Sequence, residues 1–439
     1  MKRLVRPAAF ALLLAVLLLG LSGCYSGSID QYFSLPMASE EYRQLQSLID
    51  EELASGSEYA SPTHGSYRQS VQLNDVDGDG ADEALAFFRD AGKNPKINIY
   101  SAENGEYTLV LSLTGEGSSI GRIDYADLTG DGQEELLVSW QISSGVSILS
   151  AYSLADWSGE ALLSTDSAEF VTGDINGDGR DELLNLRAAN STTYLIDQYT
   201  FAPDQVPQAT SAALSAGIAS LQRLRMILLA GNTPALLAEA TLTTGDLVSD
   251  IFVCRDGSLI NLTMNRTTQV SETHRTYSLV YAQDIDGDGC TEIPHPQQLY
   301  SRGDEVFWSI AWFRYDAAGR ASTVMTTYHN VTDNWYLVLP DGWDAGLTVR
   351  RDDSVSGERA VILSKLRSDG SLEDYVAVYA ITGENRYERS KLDSRFLLQE
   401  EGTTVYSAEI LDGKTDENTI KNRFHVIYTD WSSGSVVGG

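Results

Sequence analysis

Four short acidic segments carry the residues with the most regular chemistry. Aligned on their first Asp they read DVDGDGADE from Asp75, DLTGDGQEE from Asp127, DINGDGRDE from Asp174 and DIDGDGCTE from Asp284. Positions one, three, five and nine bear side-chain oxygens. These are Asp75, Asp77, Asp79 and Glu83; Asp127, Thr129, Asp131 and Glu135; Asp174, Asn176, Asp178 and Glu182; and Asp284, Asp286, Asp288 and Glu292. Position seven, held by Ala81, Gln133, Arg180 and Cys290, offers a main-chain carbonyl whatever its side chain. Alternating hard oxygen donors closed by an acid describe a cage for Ca²⁺. Glycines at positions four and six let the backbone curl so that those oxygens face one centre. An EF-hand would need Glu at position twelve, where this chain has Ala86, Val138, Asn185 and His295, so that reading is excluded.

No other group of reactive residues matches that regularity. Gly117 opens GSSIG, a G-x-S-x-G match, but a hydrolase elbow needs a strand-to-helix turn and this one leads into a strand. The histidines at 64, 274, 295, 329 and 425 show no metal spacing, and His295, between Pro294 and Pro296, reads as a turn residue. Trp308, Trp312, Phe313, Trp335, Tyr336 and Trp343 are enriched in one region. The alternation of Trp308, Ile310 and Trp312 predicts one buried strand face, with a carbohydrate-stacking surface as the alternative. Cys254 and Cys290 could pair in an oxidising compartment, but two cysteines make no framework.

The elements that must position the acidic loops are strands. SVQLN, RIDYA and EFVTG precede the first three loops, and ALAFF, LLVSW and LLNL follow them. The loop starts are separated by 52 residues (75 to 127), 47 (127 to 174) and 110 (174 to 284). The double interval predicts a repeat near residue 228 without its motif. SLQRLRMILLAGNTPALLAEA from Ser220 aligns there with the second copy, with Leu228, Ala230 and Asn232 at the ligand positions and Gly231 retained. That copy is expected to keep its strands and lose its ion. A period near 50 residues with about four short strands is the signature of a β-propeller.

On these motifs, residues 60 to 330 resemble the FG-GAP/VCBS repeat proteins, whose propeller is similar to the integrin α-subunit head. The resemblance implies Ca²⁺ loops between the first two strands of each blade, with up to four structural ions held by the residues named above. Thr129 departs from the acidic pattern, so the second loop is expected to bind less tightly. Cys290 would contribute only its carbonyl.

Flanking segments complete the expected organisation. MKRLVRPAAFALLLAVLLLGLSGC has the basic start and short apolar run of a secretory signal, and Leu21-Ser22-Gly23-Cys24 resembles the bacterial lipobox. This predicts a signal peptide over 1–23, lipidation at Cys24 and an extracytoplasmic chain tethered to the membrane. Residues 24–60 hold a linker and an amphipathic helix with Tyr42, Leu45, Leu48, Ile49 and Leu53 on one stripe, Ser39 as N-cap and Gly56 as stop. The propeller is placed at 61–330, an α+β C-terminal domain at 331–431 and a flexible tail at 432–439. The alternative is a single seven-bladed propeller. A formal charge of −31 argues against nucleic acid as a partner. The expected function is a calcium-stabilised binding, adhesion or scaffolding lipoprotein with a protein or carbohydrate ligand. The alternative is an extracytoplasmic enzyme acting on polysaccharide in the propeller funnel, although no nucleophile-plus-base constellation points to catalysis.

Overall fold

The computed structural model describes residues 40–103, 105–202, 205–301, 303–392 and 394–428. The signal segment, Cys24, Ser39 and the tail at 432–439 lie outside the described residues.

Helix α1 (Glu40–Ala54) follows the expected apolar stripe, and Gly56, at φ 101°, supplies the left-handed stop that a helix end favours. Among the described residues, six antiparallel sheets come after it. Sheet I contains β1 (Glu58–Tyr59), β2 (Val71–Asn74), β3 (Glu83–Arg89), β4 (Pro95–Glu103) and β5 (Glu106–Thr114). Sheet II runs in simple order through β6 (Ser119–Ala126), β7 (Glu135–Ser143), β8 (Val146–Tyr152) and β9 (Ala161–Ser167). Sheet III repeats that order with β10 (Glu169–Gly173), β11 (Glu182–Asn190), β12 (Thr193–Thr200) and β13 (Gln208–Ala213). Sheet IV is the copy expected from the double interval: β14 (Ile218–Leu229), β15 (Thr233–Leu242), β16 (Leu247–Arg255) and β17 (Ser258–Asn261). Its loop has shrunk to the turn Ala230-Gly231-Asn232, and Leu228 has become part of β14.

Sheet V starts after the last acidic loop with β18 (Glu292–Gln298), β19 (Trp308–Tyr315), β20 (Ala321–Asn330) and β21 (Trp335–Val338). Its pre-loop strand is reduced to one bridge between Gln283 and Glu292. Sheet VI holds β22 (Leu347–Asp352), β23 (Glu358–Leu366), β24 (Leu372–Ile381), β25 (Phe396–Glu401) and β26 (Thr404–Ile410), with the short helix α2 (Arg386–Arg389) between β24 and β25. After α3 (Glu417–Lys421), β27 (Phe424–Val426) returns to pair with β21 in sheet V.

The second strand of a repeat is apolar nearly throughout because both of its faces are covered. Leu136, Val138 and Trp140 of β7 pack with Leu85, Phe87, Ile97 and Ile99 of sheet I. Leu137, between them, points the other way toward Phe170 and Leu183 of sheet III. Period-two alternation thus feeds two cores from one strand. The same scheme joins III to IV through Leu184, Leu236 and Phe252, and IV to V through Leu237, Ile251 and Ile293. The remaining face of sheet I, formed by Ala84, Ala86, Phe88 and Tyr100, is covered by Leu45 and Ile49 of α1. Among the described residues no strand of sheet I pairs with a strand of sheet VI.

Among the described residues the strands form six antiparallel sheets of four or five strands each, a mainly β fold consistent with the expected repeat units. The expected boundary at 330/331 falls between β20 and β21, which are hydrogen-bonded partners. Beyond it, Trp335, Leu337 and Phe424 of sheet V share one core with Val361, Leu363 and Val376 of sheet VI. His295 is a strand residue rather than a turn residue. Pro294 and Pro296 fit on β18 because it is an edge strand, where one row of amides needs no ladder partner. Among the described residues no helix is long and apolar enough to cross a membrane.

Candidate metal centres

Three acidic loops join consecutive paired strands of a sheet, β2 to β3, β6 to β7 and β10 to β11; the fourth leads into β18. Their backbones share one conformation. Positions four and six are left-handed glycines throughout, at φ 77° and 88° for Gly78 and Gly80, and 78° and 88° for Gly287 and Gly289. A β-carbon at those angles would be strained, so the curl depends on Gly.

Each first Asp is held by amides of its own loop. Asp75 accepts from the N–H groups of Gly78 at 2.9 Å and Gly80 at 3.0 Å. Asp127 accepts from Gly130 and Gly132, Asp174 from Gly177 and Gly179, and Asp284 from Gly287 and Gly289. The position-five acids Asp79, Asp131, Asp178 and Asp288 accept from the N–H of position seven, which is Ala81, Gln133, Arg180 and Cys290. The closing Glu begins the next strand, and its Oε2 accepts from the N–H of position two, Val76, Leu128, Ile175 or Ile285.

Those closing acids are the unusual groups. Glu83, Glu135, Glu182 and Glu292 are all buried. Burial pushes the carboxyls of Glu135 and Glu182 up to about 7; amide hydrogen bonds oppose the shift and neighbouring loop acids add to it. Burial also raises Glu83 and Glu292, the latter pulled back by Arg314. A buried carboxyl among like charges is costly when ionised unless a cation neutralises it.

Two of the loops assemble three acids closely enough to share an ion. Ligand oxygens of Asp75, Asp77 and Glu83 lie within 4.8 Å of one another, as do those of Asp284, Asp286 and Glu292. These two clusters could hold a metal ion. Their donors are all hard carboxylate oxygens, without sulfur or imidazole. In the second and third loops the third position is neutral. There Thr129 Oγ1 donates to Glu135 Oε1 at 3.3 Å, and the Asn176 amide donates to Glu182. In the first loop Ser101 Oγ donates to Glu83 Oε1 at 3.0 Å.

Sequence reasoning missed Arg314. It reaches Glu292 Oε1 at 2.7 Å, Asp286 Oδ2 at 2.8 Å and Asp288 Oδ2 at 2.7 Å. The missing signal was strand register: Arg314 lies directly opposite Glu292 across β18 and β19. The Cys290 thiol also has a structural place, packed 3.4 Å from the carbonyl of Leu229 at the end of β14. Cys254 and Cys290 are both free.

Of the aromatic candidates, Trp312, Trp335 and Trp343 are buried packing residues. Trp312 and Trp335 are fully buried, and the Trp312 indole N–H donates to Thr327 at 2.9 Å. Trp343 stacks on Tyr375 with ring centroids 4.3 Å apart. Gly117 leads into β6 and not a helix. A cavity of about 580 Å³ between sheets II, III and IV is lined by Val146, Asp166, Glu169, Arg187, Tyr194 and Leu221 among others.

No family model matches this chain, and no curated protein does. Among solved structures, one from Bacteroides uniformis with a provisional 6-phosphogluconolactonase description aligns over 68% of this chain and 82% of its own, at 13% identity and TM-score 0.25. A likeness that loose carries no argument about fold or activity. The fold and loops on their own define a mainly β protein of stacked antiparallel sheets with acidic, cation-suited loops.

Proposed function

We propose that this chain is a membrane-anchored extracytoplasmic lipoprotein that acts as a binding or scaffolding module, with Ca²⁺ in the acidic loops fixing the first strands of its sheets. The observation that carries the reading is the repeated loop geometry. The same donors hold the first Asp in all four copies, and the same buried Glu closes them. A solvent-facing turn has no need to bury an acid where burial raises its pKa. Bound calcium would supply positive charge to those acids and would stabilise only the folded arrangement. Asp75, Asp77, Asp79 and Glu83, with their counterparts in the other loops, would hold it.

The resemblance to FG-GAP/VCBS repeats supports the same reading, as does the lipobox-like run ending at Cys24. Partner contacts, to protein or carbohydrate, fall to the loops that connect strands. An enzyme would gather its shifted groups at one funnel. Among the described residues, all carboxyls raised by burial except Asp250 lie in the acidic loops.

Two measurements test the proposal. Limited proteolysis with and without chelator should cut at the loops 75–83, 127–135 and 174–182 only when calcium is removed. Detergent phase partition of the protein made in bacteria should place the wild type in the detergent phase and Cys24→Ser in the aqueous phase. Identical cleavage in both conditions, or identical partition of both proteins, would count against the calcium or the anchor part respectively.

A further inference from the structure

The four loops are not equivalent at the residue facing their closing acid. Counting the register one step beyond Ala84↔Tyr100, Leu136↔Tyr152 and Leu183↔Tyr199 places Ser101, Ser153 and Thr200 opposite Glu83, Glu135 and Glu182. In the fourth loop the facing residue is Arg314, paired in register with Glu292. Three positions therefore carry a short hydroxyl residue and the fourth a full guanidinium.

That guanidinium bonds the oxygens a metal would use. Arg314 spans Glu292, Asp286 and Asp288 at 2.7–2.8 Å, so positions three, five and nine of the loop are engaged at once. Its side chain is about one-fifth exposed. A planar group with five donors and a permanent positive charge suits such a set of carboxylates. The loop is also braced from behind. Thr291 N–H donates to Leu228 O at 2.9 Å, and the Cys290 thiol donates to Leu229 O. The loop that keeps the motif therefore rests on the end of β14, next to the turn that lost it.

We infer that Arg314 is the resident cation of the fourth loop, an internal counter-ion that takes the place of a metal there and leaves only the first three loops to bind calcium. Rigidity at the junction of sheets IV and V is then independent of calcium supply. The inference rests on the calcium reading of the other loops. A divalent ion entering this cage must displace the guanidinium from three carboxylates and then sit beside its charge, so the site is at least ten times weaker than its counterparts.

The test is ion counting by native mass spectrometry and equilibrium dialysis with ⁴⁵Ca²⁺ on the full chain, wild type and Arg314→Ser. Ser is the residue at the matching positions 101 and 153. Three ions in the wild type and four in the variant are expected. Four in both proteins, or three in both, would overturn the inference and leave the calcium reading standing; none in either would overturn both. Hydrogen exchange of the wild type covers the case in which Arg314→Ser does not fold. On chelation, residues 75–83, 127–135 and 174–182 should lose protection while 284–292 keeps it. Equal loss in all four would refute the role given to Arg314.

Discussion

Replacing Glu135 by Gln separates the cost of a buried charge from the benefit of a bound ion. Glu135 is 1% exposed, and its Oε2 accepts from the N–H groups of Leu128 at 2.8 Å and Thr129 at 3.2 Å. Burial, reinforced by Asp131 and Asp127, raises its carboxyl to about 7 from an ordinary 4.5. The folded chain thus holds a proton that the unfolded chain has released between those values, and metal-free stability falls as pH rises through that window. At about 1.4 kcal/mol per unit the loss reaches roughly 3 kcal/mol by pH 8. Glu135→Gln removes the charge and keeps an acceptor for one amide. In chelator at pH 8 the variant should be more stable than wild type by roughly 1–3 kcal/mol, and near pH 4 the gap should close. Calcium should reverse the order. At a thousandfold excess over Kd the wild type gains about 4.1 kcal/mol at this site, more than that gap, and the variant does not. Urea unfolding at the two pH values, with chelator or Ca²⁺, reads every sign. A variant less stable than wild type in chelator at pH 8, or one that gains as much from Ca²⁺, would refute the reasoning.

Other outcomes follow from the same geometry. Thr129→Asp should tighten calcium binding at the second loop by tenfold or more and lower metal-free stability, both measurable by calorimetric titration. Calcium affinity at the second and third loops should fall as pH drops below 7, because Glu135 and Glu182 then enter binding protonated, and titrations at pH 7.5 and 5.5 check this. Leu45→Ala should destabilise by about 2–4 kcal/mol in melting experiments, since Leu45 is buried against sheet I; a surface helix would lose almost nothing.

Much of this molecule was legible because its signals are local. The loop glycines fix a backbone curl, the acids between them fix a chemistry, and the apolar runs on either side fix strands. The degenerate copy was readable from spacing alone, since a sheet survives the loss of its loop when its both-faced apolar strand, TPALLAEATL, is kept. Long-range pairing was not readable. Nothing local in FHV says that it leaves the last sheet to pair with β21, or that NWYLV belongs with strands before residue 330. The hydrophobic pattern of Trp308, Ile310 and Trp312 gave a strand correctly, while the prolines beside His295 misled, because whether a strand lies at an edge is a property of the sheet. Arg314 was hidden for the same reason: 22 residues separate it from Glu292, and only register brings them together.

The central claim is that the acidic loops hold structural calcium, and scanning calorimetry of the purified protein with chelator and with millimolar Ca²⁺ addresses it most directly. The account predicts a rise in melting temperature that saturates with calcium and is not reproduced by an equal ionic strength of sodium chloride. Superimposable melts in chelator, sodium and calcium would contradict it, and the buried Glu83, Glu135 and Glu182 would then need another partner.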